Sequence, residues 1–198
     1  MKMRLIQNIG FIVLSLFLSL FSLCSVQRTA DSAESFDGII IRAGDYAGKI
    51  IDALIFLRKD EPGTYLLAKR YVREIRWEGN PFWSLIHFPD EISLSTSSFG
   101  RGRVYLASLI FHELHHILFM KIRLSTLSKA EYRDIFNYYR RLIGFHVGRV
   151  AQLSRYDEEL LIHQFQLQFL RRHRDYRNEE LQKVIIENLP RTYYHLKR

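Results

Sequence analysis

Residues 104–120 read VYLASLIFHELHHILFM, and Glu113 is the one acidic or basic side chain among them apart from the histidines. A run that is apolar on all sides folds as a helix buried on all sides. Within it stand His112, Glu113 and His116. Residues four apart on a helix share a face one turn apart, so both imidazoles can reach one ion. Glu113 projects about 100° round the axis, beside that ion rather than on it. Burying such groups is costly unless something pairs them, and a metal ion supplies the pairing. The plain alternative is a core helix whose histidines are satisfied by ordinary hydrogen bonds.

The spelling H-E-x-x-H resembles the zincin metallopeptidase signature. The resemblance implies a zinc ion held by His112, His116 and a third residue, with Glu113 as the base that activates a water for peptide-bond hydrolysis. The metzincin extension is absent, because residues 117–122 read ILFMKI and place no Gly or His where it needs them. The remaining pattern is gluzincin-like, with a Glu on a later helix completing the site. Glu158 and Glu159 open such a helix, about forty residues downstream.

In gluzincins that helix resembles E-x-x-A-[D/N]-x-[F/L]. Set on Glu159 it finds Ile162, His163 and Phe165; set on Glu158 it finds Leu161, Ile162 and Gln164. Glu159 is the better match and the expected third ligand, although Ile162 and His163 depart from the pattern. Glu158 instead lines up with the apolar stripe Leu161, Phe165 and Phe169, and His163 is a further ligand candidate one turn on. If no metal binds, both acids simply complement the helix N-terminus. His115 points away from the His112/His116 face, which suits a supporting or surface role. His146, Tyr156 and His163 are candidates to donate to a developing oxyanion. His87, His173 and His195 read as structural or surface residues.

The chain has 198 residues, enough for one domain with a proper core, and 47% apolar residues suit a globular protein. Its net charge of +8 is uneven, since residues 121–198 hold 16 Lys and Arg against 9 Asp and Glu. That basic half suits an anionic lipid, an acidic polymer or an acidic protein, or simply a solvated surface. One cysteine excludes a zinc-finger framework, and no nucleic-acid motif is present. Lys2 and Arg4 precede the uncharged apolar run 11–26, the layout of a secretory signal peptide or an uncleaved anchor. Residues 1–30 are therefore read as leader or membrane anchor, 31–37 as linker and 38–198 as one domain. The domain is expected outside the cytoplasmic membrane, secreted, periplasmic or anchored.

Helical spacing predicts helices over 45–58, 64–77, 129–143, 156–172 and 178–188, with Leu66 and Tyr132 on apolar faces. Residues 144–154 read as a loop or distorted segment, and Leu189-Pro190 ends the last helix. Alternation of Ile92, Leu94, Thr96 and Ser98 with serines predicts strands within 81–98. Zincins resemble this order: an edge strand beside the metal helix lets an extended peptide add to the sheet. The expected fold is helix-rich α+β, zincin-like, with a small sheet and a central HExxH helix. The expected activity is a zinc-dependent peptidase acting on peptide or protein. The rival is a non-catalytic envelope protein with a structural metal or a plain core helix and a basic partner-binding surface. A zinc hydrolase of non-peptide amides would use the same residues.

Overall fold

The computed structural model describes residues 33–79, 85–86, 90–143 and 147–195. The leader or anchor read over residues 1–30 therefore lies outside the described residues, as do His87 and His146. The chain begins with strands β1 (Glu34–Phe36) and β2 (Ile39–Arg42), then helices α1 (Ala47–Asp60) and α2 (Pro62–Tyr71). Strands β3 (Glu74–Glu78), β4 (Leu85–Ile86) and β5 (Glu91–Ser95) follow, and helix α3 (Arg103–Arg123) carries the HExxH residues. Helices α4 (Lys129–Ile143), α5 (Arg155–Arg172) and α6 (Tyr176–His195) complete the domain. It is helix-rich α+β with a small mixed sheet, the coarse architecture the patterning predicts.

The strand order is β1-β2-β3-β5-β4. The central pairs β2/β3 and β3/β5 are parallel and the two edge pairs antiparallel. Ile41, Ile75 and Ile92 stand in register across the centre and are fully buried. Two expectations need correction here. Residues 34–36, read as linker, form an edge strand, because Asp37 and Gly38 both take positive φ and close a two-residue hairpin onto β2. The helix expected through residue 77 stops at Tyr71, and Glu74–Glu78 is the middle strand of the sheet. Ile75 turns to the core there. Glu74 and Arg76 face the other side, where Arg76 bridges Glu74 at 2.9 Å and Glu91 at 2.8 Å.

Helix α3 runs through the core as its sequence requires: Leu106, Ile110, Phe111, Leu114, Ile117, Leu118 and Phe119 are all buried. Gly102, at φ 90°, turns the chain into it. Two later helices open on side-chain caps. Ser128 and Glu131 form a reciprocal capping box on α4. Ser154 Oγ accepts from the Asp157 amide at 3.1 Å on α5. Helix α5 lays Ile162, Phe165 and Phe169 against the core, with Phe169 5.0 Å from Phe111 between ring centroids. Three smaller corrections remain. Leu66 and Tyr132, expected on buried faces, are exposed. Residues 147–152 of the expected loop form a 3-10 turn. Helix α6 continues past Pro190 to His195, although proline has no N–H to give the preceding turn.

Candidate metal centre

The packing of α3 against α5 brings the predicted ligands together. His112 Nε2 and His116 Nε2 lie 3.2 Å apart. Glu159 Oε2 is 3.4 Å from His116 Nε2 and 3.9 Å from His112 Nε2. A triangle with these 3.2, 3.4 and 3.9 Å edges has a point about 2 Å from all three corners, the zinc–nitrogen and zinc–oxygen bond length. His163 stands on the same side, its ring 4.6 Å from that of His112 between centroids. His112, Glu159 and His163 offer ligand atoms within 4.8 Å of one another, a group that could hold a metal ion. Four ligand-type side chains thus converge on one place.

What lies behind each histidine separates their roles. Ser108 Oγ donates to the Tyr105 carbonyl at 2.7 Å, leaving its lone pair to accept from Gln166 Nε2 at 3.1 Å. That orients Gln166 Oε1 to accept from His112 Nδ1 at 3.1 Å. Glu158 Oε1 accepts from His116 Nδ1 at 2.7 Å, and Arg123 pairs with the other carboxylate oxygen. With the proton fixed on Nδ1, the Nε2 of each ring is free to face an ion. His163 differs. Gln182 Nε2 donates to the His163 carbonyl at 3.3 Å, so the group 2.7 Å from His163 Nδ1 is an amide NH2. The Nδ1 then accepts, and the ring proton sits on Nε2, as a donor rather than a ligand.

Charge follows this geometry. Burial holds His112 neutral, its pKa far below the usual value. Burial also opposes charge on His116, but its hydrogen bonds to Glu158 and Glu159 win and push its pKa up to about 10. Without a metal ion, a proton on His116 therefore binds the triangle together. Glu159 resists the same burial and has its pKa lowered, chiefly by His116. Glu113, buried beside them, is pushed up to about 7 by desolvation.

The two adjacent acids divide the work. Glu159 faces the histidine Nε2 atoms, and Glu158 sits buried behind His116. His115 is no surface residue, since it is fully buried with Nδ1 donating to the Phe111 carbonyl at 2.6 Å. Its ring packs on Phe111, Tyr139 and Phe165. His173 packs on Phe56 and Phe169 and bonds Glu61 at 3.0 Å, the structural one of the two roles read from sequence. Sequence reasoning missed Ser108, Arg123, Gln166 and Gln182. Three lie at helical spacings from the ligands: Ser108 four before His112, Arg123 seven after His116, Gln166 seven after Glu159. A search for polar residues on the ligand faces would have found them. Comparisons with protein-family models, with curated proteins and with solved structures return no match to this chain.

Proposed function

We propose that the chain is a zinc-dependent metallopeptidase of gluzincin-like design, with His112, His116 and Glu159 as ligands and Glu113 as general base. The observation that carries the reading is the triangle of two histidine Nε2 atoms and Glu159 Oε2, with both histidines oriented from behind. Two imidazoles and a carboxylate suit zinc, and three protein ligands leave one position open, the arrangement of catalytic rather than structural sites. A zinc ion bound there would acidify water and polarise a substrate carbonyl. The chain's own residues would do the rest. Glu113, with a pKa of about 7, is poised to take a proton and return it to the leaving amine. Glu158 and Gln166 hold the rings in place. His163, with its proton on Nε2, would donate to a carbonyl oxygen as negative charge develops. Export through the N-terminal segment belongs to the same proposal and rests on the sequence of residues 2–26. No described helix is long and apolar enough to cross a membrane.

The test is Glu113→Gln with labelled casein as substrate. We expect the variant to keep its zinc and to lose at least about 100-fold in turnover, the usual scale of a general base. A wild-type chain that binds zinc but cleaves neither casein nor unstructured peptides would sink the peptidase reading.

A second reading has one observation in its favour, the nearness of His163. With its proton moved to Nδ1 and the Gln182 amide turned so that Oε1 accepts it, His163 would make a fourth ligand through Nε2 and close the shell, as in a structural site of a non-catalytic envelope protein. His163→Ala separates the two. Zinc retained at full stoichiometry supports the open site, and zinc lost supports the closed one.

A further inference from the structure

Helix α4 carries a separate feature, away from the metal centre. At 100° per residue, Lys129, Arg133 and Arg140 fall within about 40° of one another. All three are exposed, and among the described residues no acidic side chain pairs with them. The acids of the same helix are committed elsewhere, since Glu131 and Asp134 both pair with Arg70 of α2. Tyr132, 39% exposed, borders the stripe on one side. At the N-terminal end of the helix the turn after α3 presents Leu124, 60% exposed. Beside it lies a shallow cleft lined by Ile122, Leu127, Lys129 and Tyr132.

An unopposed basic stripe ending in an exposed leucine and tyrosine suits a surface that is anionic outside and apolar just beneath. An acidic polymer would answer the charge but give Leu124 nothing. A lipid headgroup layer answers both, because basic side chains meet the phosphates while leucine and tyrosine enter the interface. The chain supplies a second reason. Residues 11–26, sixteen uncharged and mostly apolar positions behind Lys2 and Arg4, are suited to enter a bilayer. The first described strand joins α2 through Phe36 on Tyr65, at 6.3 Å between centroids. Helix α4 joins α2 next door, where Thr64 Oγ1 and Tyr138 Oη lie 2.9 Å apart. Strand β1, which follows the N-terminal segment in sequence, and α4 therefore both pack on α2.

We propose that the α4 face of Lys129, Arg133 and Arg140, with Leu124 at its tip, docks the domain on an anionic phospholipid surface. The proposal stands apart from the metal reading and shares no residue with it.

Flotation of the full chain with vesicles tests it, using phosphatidylcholine alone and phosphatidylcholine with phosphatidylglycerol. Lys2 and Arg4 of the N-terminal segment favour the anionic vesicles alike in every variant, so the loss of preference on charge reversal reads the stripe. At roughly fivefold per basic side chain, three give about 100-fold preference for the anionic vesicles. High salt should erase that preference, as should K129E/R133E/R140E, with binding to neutral vesicles unchanged. K129Q/R133Q/R140Q should fall between, and Leu124→Ser should weaken anionic binding several-fold. Equal partition of the wild type into both vesicles, or an unchanged preference in the charge-reversed chain, would overturn the proposal. So would a charge-reversed chain that loses binding to poly-glutamate while keeping its vesicle preference, which would assign the stripe to an acidic polymer.

Discussion

On the proposed function, His116 is where a proton and the metal would compete. In the metal-free chain its pKa is raised to about 10, because Glu158 and Glu159 outweigh its burial. Zinc uptake must then expel that proton, so apparent affinity should climb roughly tenfold per pH unit between about pH 7 and 9. Calorimetric titrations in two buffers of different ionisation enthalpy would measure the release. About one proton per zinc is expected near neutral pH, and none would mean that His116 is not a ligand. Arg123 and Glu158 act through the same ring. Glu158→Gln keeps the shape but removes the charge, and Arg123→Ala leaves Glu158 buried without its cation. Each should weaken zinc binding about 10- to 100-fold, the range for groups that support a ligand from behind. Competition against a chromophoric chelator reads this directly. Arg123→Lys should recover part of the loss, which a merely unfolded variant would not.

At the scale of elements, α5 sets the site's precision, since it carries Glu158, Glu159, His163 and Gln166 within a little over two turns. Its N-cap is Ser154, and Ser154→Ala should cost about 1 kcal/mol of stability. Phe169→Ala, which empties a position packed on Phe56 and Phe111, should cost about 3–5 kcal/mol. Denaturant unfolding of the two variants should show that ordering. The helices were legible in sequence because the 3.6-residue period is local: α3 from its all-round apolar run, α5 from its acidic start and basic end. Strand β3 was not. Ile75 reads equally well as the last apolar position of α2, and only its pairing with Ile41 and Ile92 makes it a strand. The site divides in the same way. His112, Glu113 and His116 could be read at once, and the gluzincin pattern preferred Glu159 to Glu158; the packing of α5 on α3 is what turns Glu159 Oε2 to the histidine Nε2 atoms. The roles of Gln166, Arg123 and Gln182 depend on contacts more than 18 residues apart in sequence, which no local pattern encodes.

The whole molecule should show this chemistry in its stability. Glu113 has its folded pKa raised to about 7 from 4.5, so the stability linked to it is full below about pH 4.5 and is lost as pH rises through 7. His116, raised to about 10 from 6.5, contributes below about pH 6.5 and is lost as pH rises through 10. Glu159 is lowered and works the other way, contributing above about pH 4.5 and failing in acid. His112 and His115, held neutral by burial, lose stability as pH falls below about 6.5. The metal-free domain should therefore be most stable at about pH 6–7 and should weaken toward both acid and pH 10. Thermal unfolding with chelator across that range tests the sign. Zinc should reverse the alkaline loss, adding about 4 kcal/mol when its free concentration is a thousand times its dissociation constant.

The central claim is that His112, His116 and Glu159 form one zinc site, and metal content measures it most directly. The purified full chain, dialysed against limiting zinc, should carry one zinc per chain by elemental analysis. His116→Ala should lose it, Glu159→Ala should bind it at least about 100-fold more weakly, and His163→Ala should keep it. A wild-type chain that is folded and holds no zinc would contradict the account. In that case the triangle is held by the His116 proton alone, and HELHH is a stretch of buried helix with no metal to bind.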